Sequence, residues 1–392
     1  MKTRFLATMS HDIRTPLNGI IGMVNMGNQY ADAPQMQQKI REKAMETLKY
    51  LVSLVNDVLD MNKLQSGDLK DQQLLFDLTM VLRELNQIYD ERAAKKGIRY
   101  EVDWKNGTYS HIALIGNPVY LGRILSNILD NAIKFSQAGS VITVWVKEEI
   151  LDDGRAFFAF YCKDQGVGMS EDFIAHAFDM FSQEIETSRS RYEGTGLGLA
   201  ITKQLVDRMD GRIELKSKIG VGTTVVVKIP FKIGVQDKIS NSPENNSVSL
   251  EDYSVEGMRA LVVEDNELNM EIARCILEES GMEVTCAADG KEAVEIFRKS
   301  APDYFGVIYM DVMMPRMNGL DAARTIREMK RRDAMRIPII AMSANAFAED
   351  IINSRLAGMN VHLAKPLDAE KMIVALKQCM ADNSDIKLHE DL

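Results

Sequence analysis

The sequence has few cysteines, no long apolar run and no excess of basic residues. Its 392 residues include four cysteines and no CxxC pair. That pattern excludes a disulfide framework and a cysteine-built zinc site, and it is typical of a reducing compartment. A formal net charge of −10 argues against a nucleic-acid partner. No window approaches the roughly 18 apolar residues of a membrane span. We therefore expect a cytoplasmic stretch of chain without membrane contact of its own.

The remaining composition is that of an ordinary globular chain, with 46% hydrophobic and 27% charged residues. Its length predicts several domains. A polar stretch rich in Ser and Asn over residues 232–257 predicts a flexible linker, and the chain after it is the acidic part. We predict domains at 1–66, 67–231 and 258–381, with a tail at 382–392.

The first domain shows apolar residues at helical spacing and no strand pattern. Asp32, Ala33 and Pro34 separate two helices, and the second carries a stripe formed by Ile40, Ala44, Leu48, Leu51, Val55, Val58 and Leu59. Two helices cannot cover such a stripe. The pattern therefore predicts an all-α hairpin that forms a homodimer, a four-helix bundle, with a second copy.

The other two domains mix helices and strands. In the middle domain, helical stretches at 79–95 and 120–135 alternate with strands at 140–148, 156–163 and 223–229, which predicts an α/β sandwich. From residue 258 five short apolar strands alternate with helices. That order predicts a doubly wound, parallel, five-stranded α/β sheet.

Polar residues follow the strands of the last domain, where ligands bind in doubly wound sheets. These residues are Glu264, Asp265, Asp311, Ser343 and Lys365. The three acids suit Mg²⁺, and Asp311 could act as a nucleophile toward phosphorus. Ser343 and Lys365 would then bind the transferred group. A single acid at a strand end is usually only a solvated charge, but five polar residues in matching places favour a site.

The strings VVEDN, YMDVMMPRMNG, MSAN and LAKP resemble the response regulator receiver domain. The resemblance implies that Asp311 is the phosphoacceptor, that Ser343 couples phosphorylation to a loop shift, and that Lys365 binds phosphate. His362 stands where the family often has an aromatic switch residue. It is equally well explained as a surface histidine.

The middle domain carries two glycine-rich strings beside an amide-bearing helix. DQGVG contains Asp164, Gly166 and Gly168, and GTGLG contains Gly194, Gly196 and Gly198. Either string alone is more often a turn than a phosphate loop. Upstream, Asn127, Asn131 and Lys134 share one helix face. Together these residues predict a Mg²⁺ and phosphate site, since glycines let backbone NH groups approach phosphates.

These segments resemble the N, G1, F and G2 boxes of the histidine kinase ATPase domain, with Phe178 and Phe181 in the F box. The resemblance implies that ATP binds here, that Asp164 binds the adenine amino group, and that Asn131 holds Mg²⁺. It also implies a lid carrying Arg189 and Arg191. A γ-phosphate contact and simple solvation both remain open for these arginines.

The string MSHDIRTPLNGI places His11 beside Asp12, with Thr15 one turn further along. An imidazole can attack phosphorus once a carboxylate such as Asp12 holds its ring proton. The string resembles the phosphoacceptor helix of the dimerising histidine kinase domain, which implies that Thr15 orients water for phosphatase work.

The whole chain thus resembles a hybrid histidine kinase core, in which ATP and Mg²⁺ serve phosphorylation of His11 and transfer to Asp311. The resemblance also implies a downstream partner, a histidine phosphotransfer protein or a response regulator. Two alternatives stay open, a degenerate scaffold that only binds nucleotide and a phosphatase that drains phosphate. Because this family normally begins with a sensory region, we expect a fragment of a longer protein that could be membrane-anchored.

Overall fold

The computed structural model describes residues 2–30, 33–66, 73–103, 105–151, 154–182, 196–234, 254–343 and 348–390. The chain divides into two compact units, residues 1–234 and 235–392. Among the described residues, no helix combines the length and the apolar character needed to cross a membrane.

The first unit begins with a helical hairpin, as predicted. Helix α1 spans Lys2–Gln29 and packs along α2, Pro34–Ser66. Pro34 opens α2, where a missing backbone NH costs nothing. Ile40 and Leu54 are buried, but many other large apolar side chains of the hairpin are exposed. They include Leu17, Ile21 and Val24 on α1 and Leu48 and Val55 on α2.

A seven-stranded mixed sheet follows in the same unit. Its strands are β1 (Leu74–Asp77), β2 (Arg99–Val102), β3 (Ala113–Gly116), β4 (Val141–Ile150), β5 (Arg155–Lys163), β6 (Arg212–Lys218) and β7 (Gly222–Ile233). The order is β1-β3-β7-β5-β4-β2, with β6 paired to β7. Only β2 and β4 run parallel, so nearly all of the sheet is antiparallel.

Helices complete this domain as a second layer. They are α3 (Leu78–Lys95), α4 (Pro118–Phe135), the short α5 (Glu171–Ile174) and α6 (Gly198–Arg208). Helix α4 contacts both α3 and α6 and packs on β5. It begins at a cap in which the Asn117 side chain accepts a hydrogen bond from the Tyr120 amide. The predicted α/β sandwich is confirmed, and α4 lies at its centre.

The sequence reading found the three longest strands and missed four shorter or half-exposed ones. Strands β1, β2 and β3 have four residues each, which is too short for a period of two to be visible. Strand β6 alternates half-buried and exposed residues, with charges on the exposed positions.

The second unit is a parallel five-stranded sheet with helices on both faces, as predicted. Its elements are β8 (Arg259–Val263), α7 (Glu267–Glu279), β9 (Glu283–Ala287), α8 (Gly290–Lys299), β10 (Val307–Asp311), α9 (Gly319–Arg327), β11 (Ile339–Ser343), α10 (Ala348–Leu356), β12 (Val361–Ala364) and α11 (Ala369–Glu390). The strand order is β12-β11-β10-β8-β9, and all neighbouring pairs are parallel.

Two apolar clusters fill the two faces of this sheet. Alternate residues of β10 belong to different clusters: Ile308 packs with Phe297 of α8, and Tyr309 packs with Leu277 of α7. Because side chains alternate along a strand, a strand buried on both faces is apolar along most of its length, and in β10 only the last residue, Asp311, is charged. All residues of β10 are indeed buried.

Two predicted domain boundaries fall inside regular elements. A linker from residue 232 would cut β7, in which Ile233 pairs with Leu114 of β3. A tail from residue 382 would begin inside α11, which continues to Glu390. Composition marked where polar residues become dense, but backbone pairing decides where an element ends. Residues 235–253 of the predicted linker lie outside the described residues, but Val255, near its end, is buried in the core of the second unit, so the linker does not extend to residue 257.

Candidate functional site

The carboxyl ends of the parallel strands bring the predicted acids of the second unit together. Glu264 and Asp265 follow β8, and Asp311 ends β10. Ligating oxygens of these three residues lie within 4.8 Å of one another. Glu264 and Asp311 are buried, whereas Asp265 is exposed. The cluster is therefore a set of hard oxygen ligands with one open side, which fits a divalent cation such as Mg²⁺.

Lys365 is the positive centre of this cluster. Its Nζ donates to Asp311 Oδ2 at 2.6 Å and to Glu264 Oε2 at 2.7 Å. The second oxygen of each acid is also bound, since Met313 N donates to Asp311 Oδ1 and Asn269 Nδ2 donates to Glu264 Oε1. These bonds fix both carboxylates before any ligand arrives.

Burial and charge act in opposite directions on this cluster. Burial lowers the pKa of Lys365, but the hydrogen bonds and charges of Asp311 and Glu264 outweigh it, so this pKa is raised. Burial raises the pKa of Glu264, with a further rise from Asp311. Lys365 therefore stays an ammonium, while a second cation would relieve the remaining repulsion between the acids.

Ser343 lies at the same edge of the sheet. Lys365 N donates to the carbonyl oxygen of Ser343 at 2.7 Å, so the two predicted phosphate ligands are joined through the backbone. The Ser343 hydroxyl is within hydrogen-bond distance of His362 Nε2, at 2.7 Å. His362 is half-buried, which does not fit its alternative reading as a surface histidine.

In the first unit, three segments meet at the predicted nucleotide site. Asn127 of α4 donates to Gly198 O and to Thr202 Oγ1, both at 3.2 Å, which joins α4 to the start of α6. The amide of Val167, in the loop after β5, donates to the carbonyl oxygen of Phe135 at the end of α4. The structure therefore brings the amide-bearing helix and both glycine strings together.

The face of α4 that carries the predicted nucleotide ligands also makes contacts within the protein. Asn131 and Lys134 are half-buried on α4, and the Lys134 ammonium lies 4.5 Å from the centroid of the Phe135 ring. Asn127 uses its amide nitrogen to hold α6, a bond that the motif gave no sign of. Its predicted role at the cofactor therefore includes positioning the neighbouring helix.

Asp164 is a buried carboxylate held by backbone amides. Its Oδ1 accepts from Gly166 N at 2.8 Å and from Thr223 N at 3.1 Å. Burial raises the pKa of Asp164, and the two amide bonds lower it by less. Because both amides bind Oδ1, the second oxygen is left for a hydrogen-bond donor such as an amino group.

The glycines after Asp164 serve the packing of the loop. A Cβ on Gly166 would lie 2.7 Å from the carbonyl oxygen of Phe135. One on Gly168, where φ is +72°, would lie 2.0 Å from the carbonyl oxygen of Lys218. Only glycine fits these positions whether or not a phosphate is bound. The sequence reading assigned them to phosphate approach alone, and the structure adds this packing reason.

The second glycine string is only partly described. Gly194, Arg189 and Arg191 lie outside the described residues. Gly196 has φ of +68°, and its carbonyl oxygen accepts from the amide of Phe181. Gly198 opens α6, and among the described residues a Cβ added there would meet nothing within 4 Å. Space is therefore open beside the start of α6, where backbone NH groups favour an anion.

The predicted phosphoacceptor lies in the hairpin. His11 and Asp12 belong to α1, but their side chains lie outside the described residues. Thr15 is exposed on the same helix, one turn further along, and the neighbouring Pro16 is buried. The helical spacing of the three predicted residues is therefore described, and the geometry of their side chains stays a prediction.

The motifs gave no signal for several contacts that support the sites. Thr223 reaches Asp164 from β7, Thr202 reaches Asn127 from α6, and Ser354 of α10 reaches His362. Each of these three residues is far in sequence from the residue that it contacts or lies outside any recognised motif. Asn269 is the exception, because it lies five residues after Glu264, at the start of the next helix.

Three family models match the chain in order. Residues 1–67 match the His Kinase A (phospho-acceptor) domain. Residues 116–233 match the histidine kinase-, DNA gyrase B- and HSP90-like ATPase, and residues 260–377 match the response regulator receiver domain.

Curated proteins align with this chain over most of its length. The autoinducer 2 sensor kinase/phosphatase LuxQ of Vibrio parahaemolyticus is 31% identical over 363 residues, which is 93% of this chain and 41% of LuxQ. The sensor histidine kinase AruS of Pseudomonas aeruginosa is 32% identical over 375 residues, 96% of this chain and 36% of AruS. The chain thus spans about two-fifths of the curated relatives it matches.

A solved structure also resembles this chain. Full-length ShkA in complex with AMPPNP is 23% identical, covers 96% of this chain and 99% of its own, and has a TM-score of 0.46.

Proposed function

The chain belongs to the hybrid histidine kinases, and we propose that ATP held by its ATPase domain phosphorylates His11 and that Asp311 then takes the phosphoryl group. In the first step a ring nitrogen of His11 bonds to the γ-phosphorus while the bond to the β-phosphate oxygen breaks and ADP leaves. In the second, an oxygen of Asp311 bonds to phosphorus while the P–N bond breaks and the imidazole takes up a proton.

The arrangement of Asp311, Lys365 and Glu264 carries this proposal. A carboxylate that attacks phosphorus must stay ionised and must approach an anionic group. Lys365, at 2.6 Å from Asp311, supplies positive charge where negative charge would accumulate. A purely structural ion pair would not need the exposed third acid, Asp265, at the mouth of the cluster.

Mg²⁺ fits both sites by the chemistry of their donors. In the receiver domain Glu264, Asp265 and Asp311 would hold it, and in the ATPase domain Asn131 would do so. When bound, the ion would offset the negative charge of phosphoryl oxygens. Lys365 contributes the same sign of charge from the protein itself.

In the ATPase domain, Asp164 would accept a hydrogen bond from the adenine amino group. The start of α6, including Gly198, would face the phosphates. Asn127 would keep α6 in place against α4, and Lys134 would add positive charge on the same helix face. Gly166, Gly168, Gly194 and Gly196 would shape the two loops that border the nucleotide.

In the hairpin, Asp12 would hold the ring proton of His11, and Thr15 would orient water for the reverse, hydrolytic reaction. Dimerisation is a property of the His Kinase A domain that the hairpin matches. We infer that the two copies meet through the exposed apolar residues of this hairpin. Leu17, Ile21 and Val24 recur at spacings of four and three on α1, as expected of a helix that packs on another. A downstream histidine phosphotransfer protein or response regulator would receive the signal.

Incubation with γ-labelled ATP and Mg²⁺ tests the order of transfer. Wild type should carry label on Asp311, His11→Gln should carry none, and Asp311→Asn should accumulate acid-labile label on His11. Loss of all label from Asp311→Asn would contradict the order, and an unlabelled wild type would favour a scaffold. Label in heterodimers that combine His11→Gln with Asn131→Asp protomers would show transfer between protomers.

A further inference from the structure

His362 connects two serines from different elements. Its Nε2 lies 2.7 Å from Ser343 Oγ at the end of β11, and its Nδ1 lies 3.0 Å from Ser354 Oγ on α10. Both serines are buried, with 4% and 2% of their surface exposed, so water is largely excluded from these hydroxyls. Resemblance to the family marks the position of His362 but gives no reason for this second serine.

Ser354 determines which ring nitrogen of His362 carries the proton. The Ser354 hydroxyl lies 2.8 Å from the carbonyl oxygen of Asp350, one turn back on α10. A carbonyl oxygen can only accept, so the single hydroxyl proton of Ser354 is used in that bond. Ser354 must therefore accept from His362, which places a proton on Nδ1.

The protonation state of His362 then sets the direction of its bond to Ser343. In the neutral ring Nε2 has no proton, so it accepts, and Ser343 directs its hydroxyl proton at the histidine. In the imidazolium form Nε2 carries a proton and donates to Ser343 Oγ instead. The Ser343 proton is then released for another acceptor without loss of the bond to His362.

We propose that His362 is a positioning residue for the receiver site, because it controls whether the Ser343 hydroxyl can donate to a phosphoryl group on Asp311. Ser354 sets the tautomer on which this control depends. Neutral His362 competes with the phosphoryl group for the Ser343 proton, and protonated His362 does not. The inference rests on the proposed function, since it takes Ser343 as a ligand of the phosphoryl group.

Charged residues occur on only some of the elements around His362. Within the described residues, α10 carries Glu349, Asp350 and Arg355, and Lys365 follows His362 on its own chain segment. Strand β11 contributes no charge. Arg355 donates to the carbonyl oxygen of Asn360, beside the start of β12. These acids and cations are the charged groups that the described neighbours of His362 contribute.

Binding of beryllium trifluoride with Mg²⁺, a mimic of the phosphoryl group, provides the test. The full chain is titrated by calorimetry from about pH 6 to about pH 8, the range in which a histidine titrates. Wild type should bind about fivefold more tightly at the acid end, the effect expected when one hydrogen bond need not be broken. Asp311→Ala supplies the baseline without a site.

Three variants separate positioning from packing. His362→Gln presents an amide NH₂ that always donates to Ser343, so tight binding should persist across the range. His362→Phe keeps a ring without a nitrogen, and its affinity should not depend on pH. Ser354→Ala frees the tautomer, so the pH dependence should shrink. His176→Gln, on an exposed histidine of the ATPase domain, should behave as wild type.

The outcomes distinguish this inference from the proposed function. If wild type does not bind beryllium trifluoride at any pH, the phosphoacceptor site itself is wrong. If wild type binds, but His362→Phe and His362→Gln keep the wild-type pH profile, His362 has no positioning role. Thermal melts confirm that each variant is folded, so a lost profile cannot reflect lost structure.

Discussion

Two of the buried aspartates, Asp164 and Asp311, are held in opposite ways. Asp311 faces the ammonium group of Lys365 at 2.6 Å. Within the described part of the chain, Asp164 accepts from the backbone amides of Gly166 and Thr223, and burial raises its pKa. A carboxylate that attacks phosphorus benefits from a neighbouring cation, which offsets the negative charge of the incoming phosphoryl group. One meant to accept from a neutral amino group needs only amide dipoles that orient it.

The largest expected effect is on nucleotide affinity, which should depend on Asp164 and not on Asp311. Asp164→Ala removes the acceptor for adenine and leaves the Gly166 and Thr223 amides unsatisfied, so ADP affinity should fall by about 1,000-fold, or about 4 kcal/mol. Asp311→Ala should leave ADP affinity within about twofold, because Asp311 has no part in that site. Calorimetric titration with ADP measures both. Equal losses in the two variants would contradict the assignment of Asp164.

The next effect is on stability, and it concerns Lys365, the cation beside Asp311. Lys365→Met leaves Asp311 and Glu264 side by side without a counter-charge, which should destabilise the receiver unit by about 3 kcal/mol. Mg²⁺ should recover part of this loss because it binds only the folded cluster. Urea unfolding with and without Mg²⁺ measures the change.

Lys371→Met is the matched control for that measurement, since Lys371 is an exposed lysine of the same unit. It should change stability by less than about 0.5 kcal/mol. A similar loss in both variants would mean that Lys365 acts through general charge and not through its two hydrogen bonds.

A third, smaller effect tests the backbone that surrounds Asp164. Gly168→Ala forces a Cβ to within 2.0 Å of the Lys218 carbonyl at a positive φ, and should cost about 2 kcal/mol. Gly198→Ala meets no atom and should leave stability within about 0.5 kcal/mol. Thermal unfolding compares the two. An equal loss would mean that Gly198 also has a packing role.

The smallest effect follows from the charge of Asp164. Its folded pKa is raised, so the folded state holds the proton more tightly, and the contribution to stability is lost as pH rises through that pKa. Asn at this position keeps an acceptor for both amides and carries no charge. Asp164→Asn should therefore exceed wild type in stability by about 1 kcal/mol at pH 7, with no advantage in acid. Thermal melts of both proteins from acid to pH 7 measure this difference. A difference in stability that does not change with pH would mean that the charge is not its cause.

Sequence predicted the receiver fold most completely, for a physical reason. Its strands are buried on both faces, so runs such as those at Val307 and Ile339 are continuously apolar and easily recognised. The short strands around Ala113 and Arg99 gave no comparable pattern. Their pairing depends on partners far along the chain, such as β7 and β4.

In the candidate sites, too, some contacts could be predicted from the sequence and others could not. Motifs placed Asp311 and Lys365 together because parallel strands end at one edge, a rule that needs no coordinates. They could not reveal that Asn127 holds α6, or that Ser354 fixes the ring of His362. Such contacts depend on how helices pack, and helix packing has no signature of fixed spacing in the sequence.

The hydrogen bond from the Lys365 amide to the Ser343 carbonyl oxygen fixes the distance between these two residues in the receiver domain. Neighbouring strands of any sheet lie about 4.8 Å apart, so the separation of these two predicted phosphate ligands is set by β pairing itself. Side-chain adjustments are not needed to maintain it. Substitutions in the surrounding loops should therefore leave the spacing of Ser343 and Lys365 unchanged.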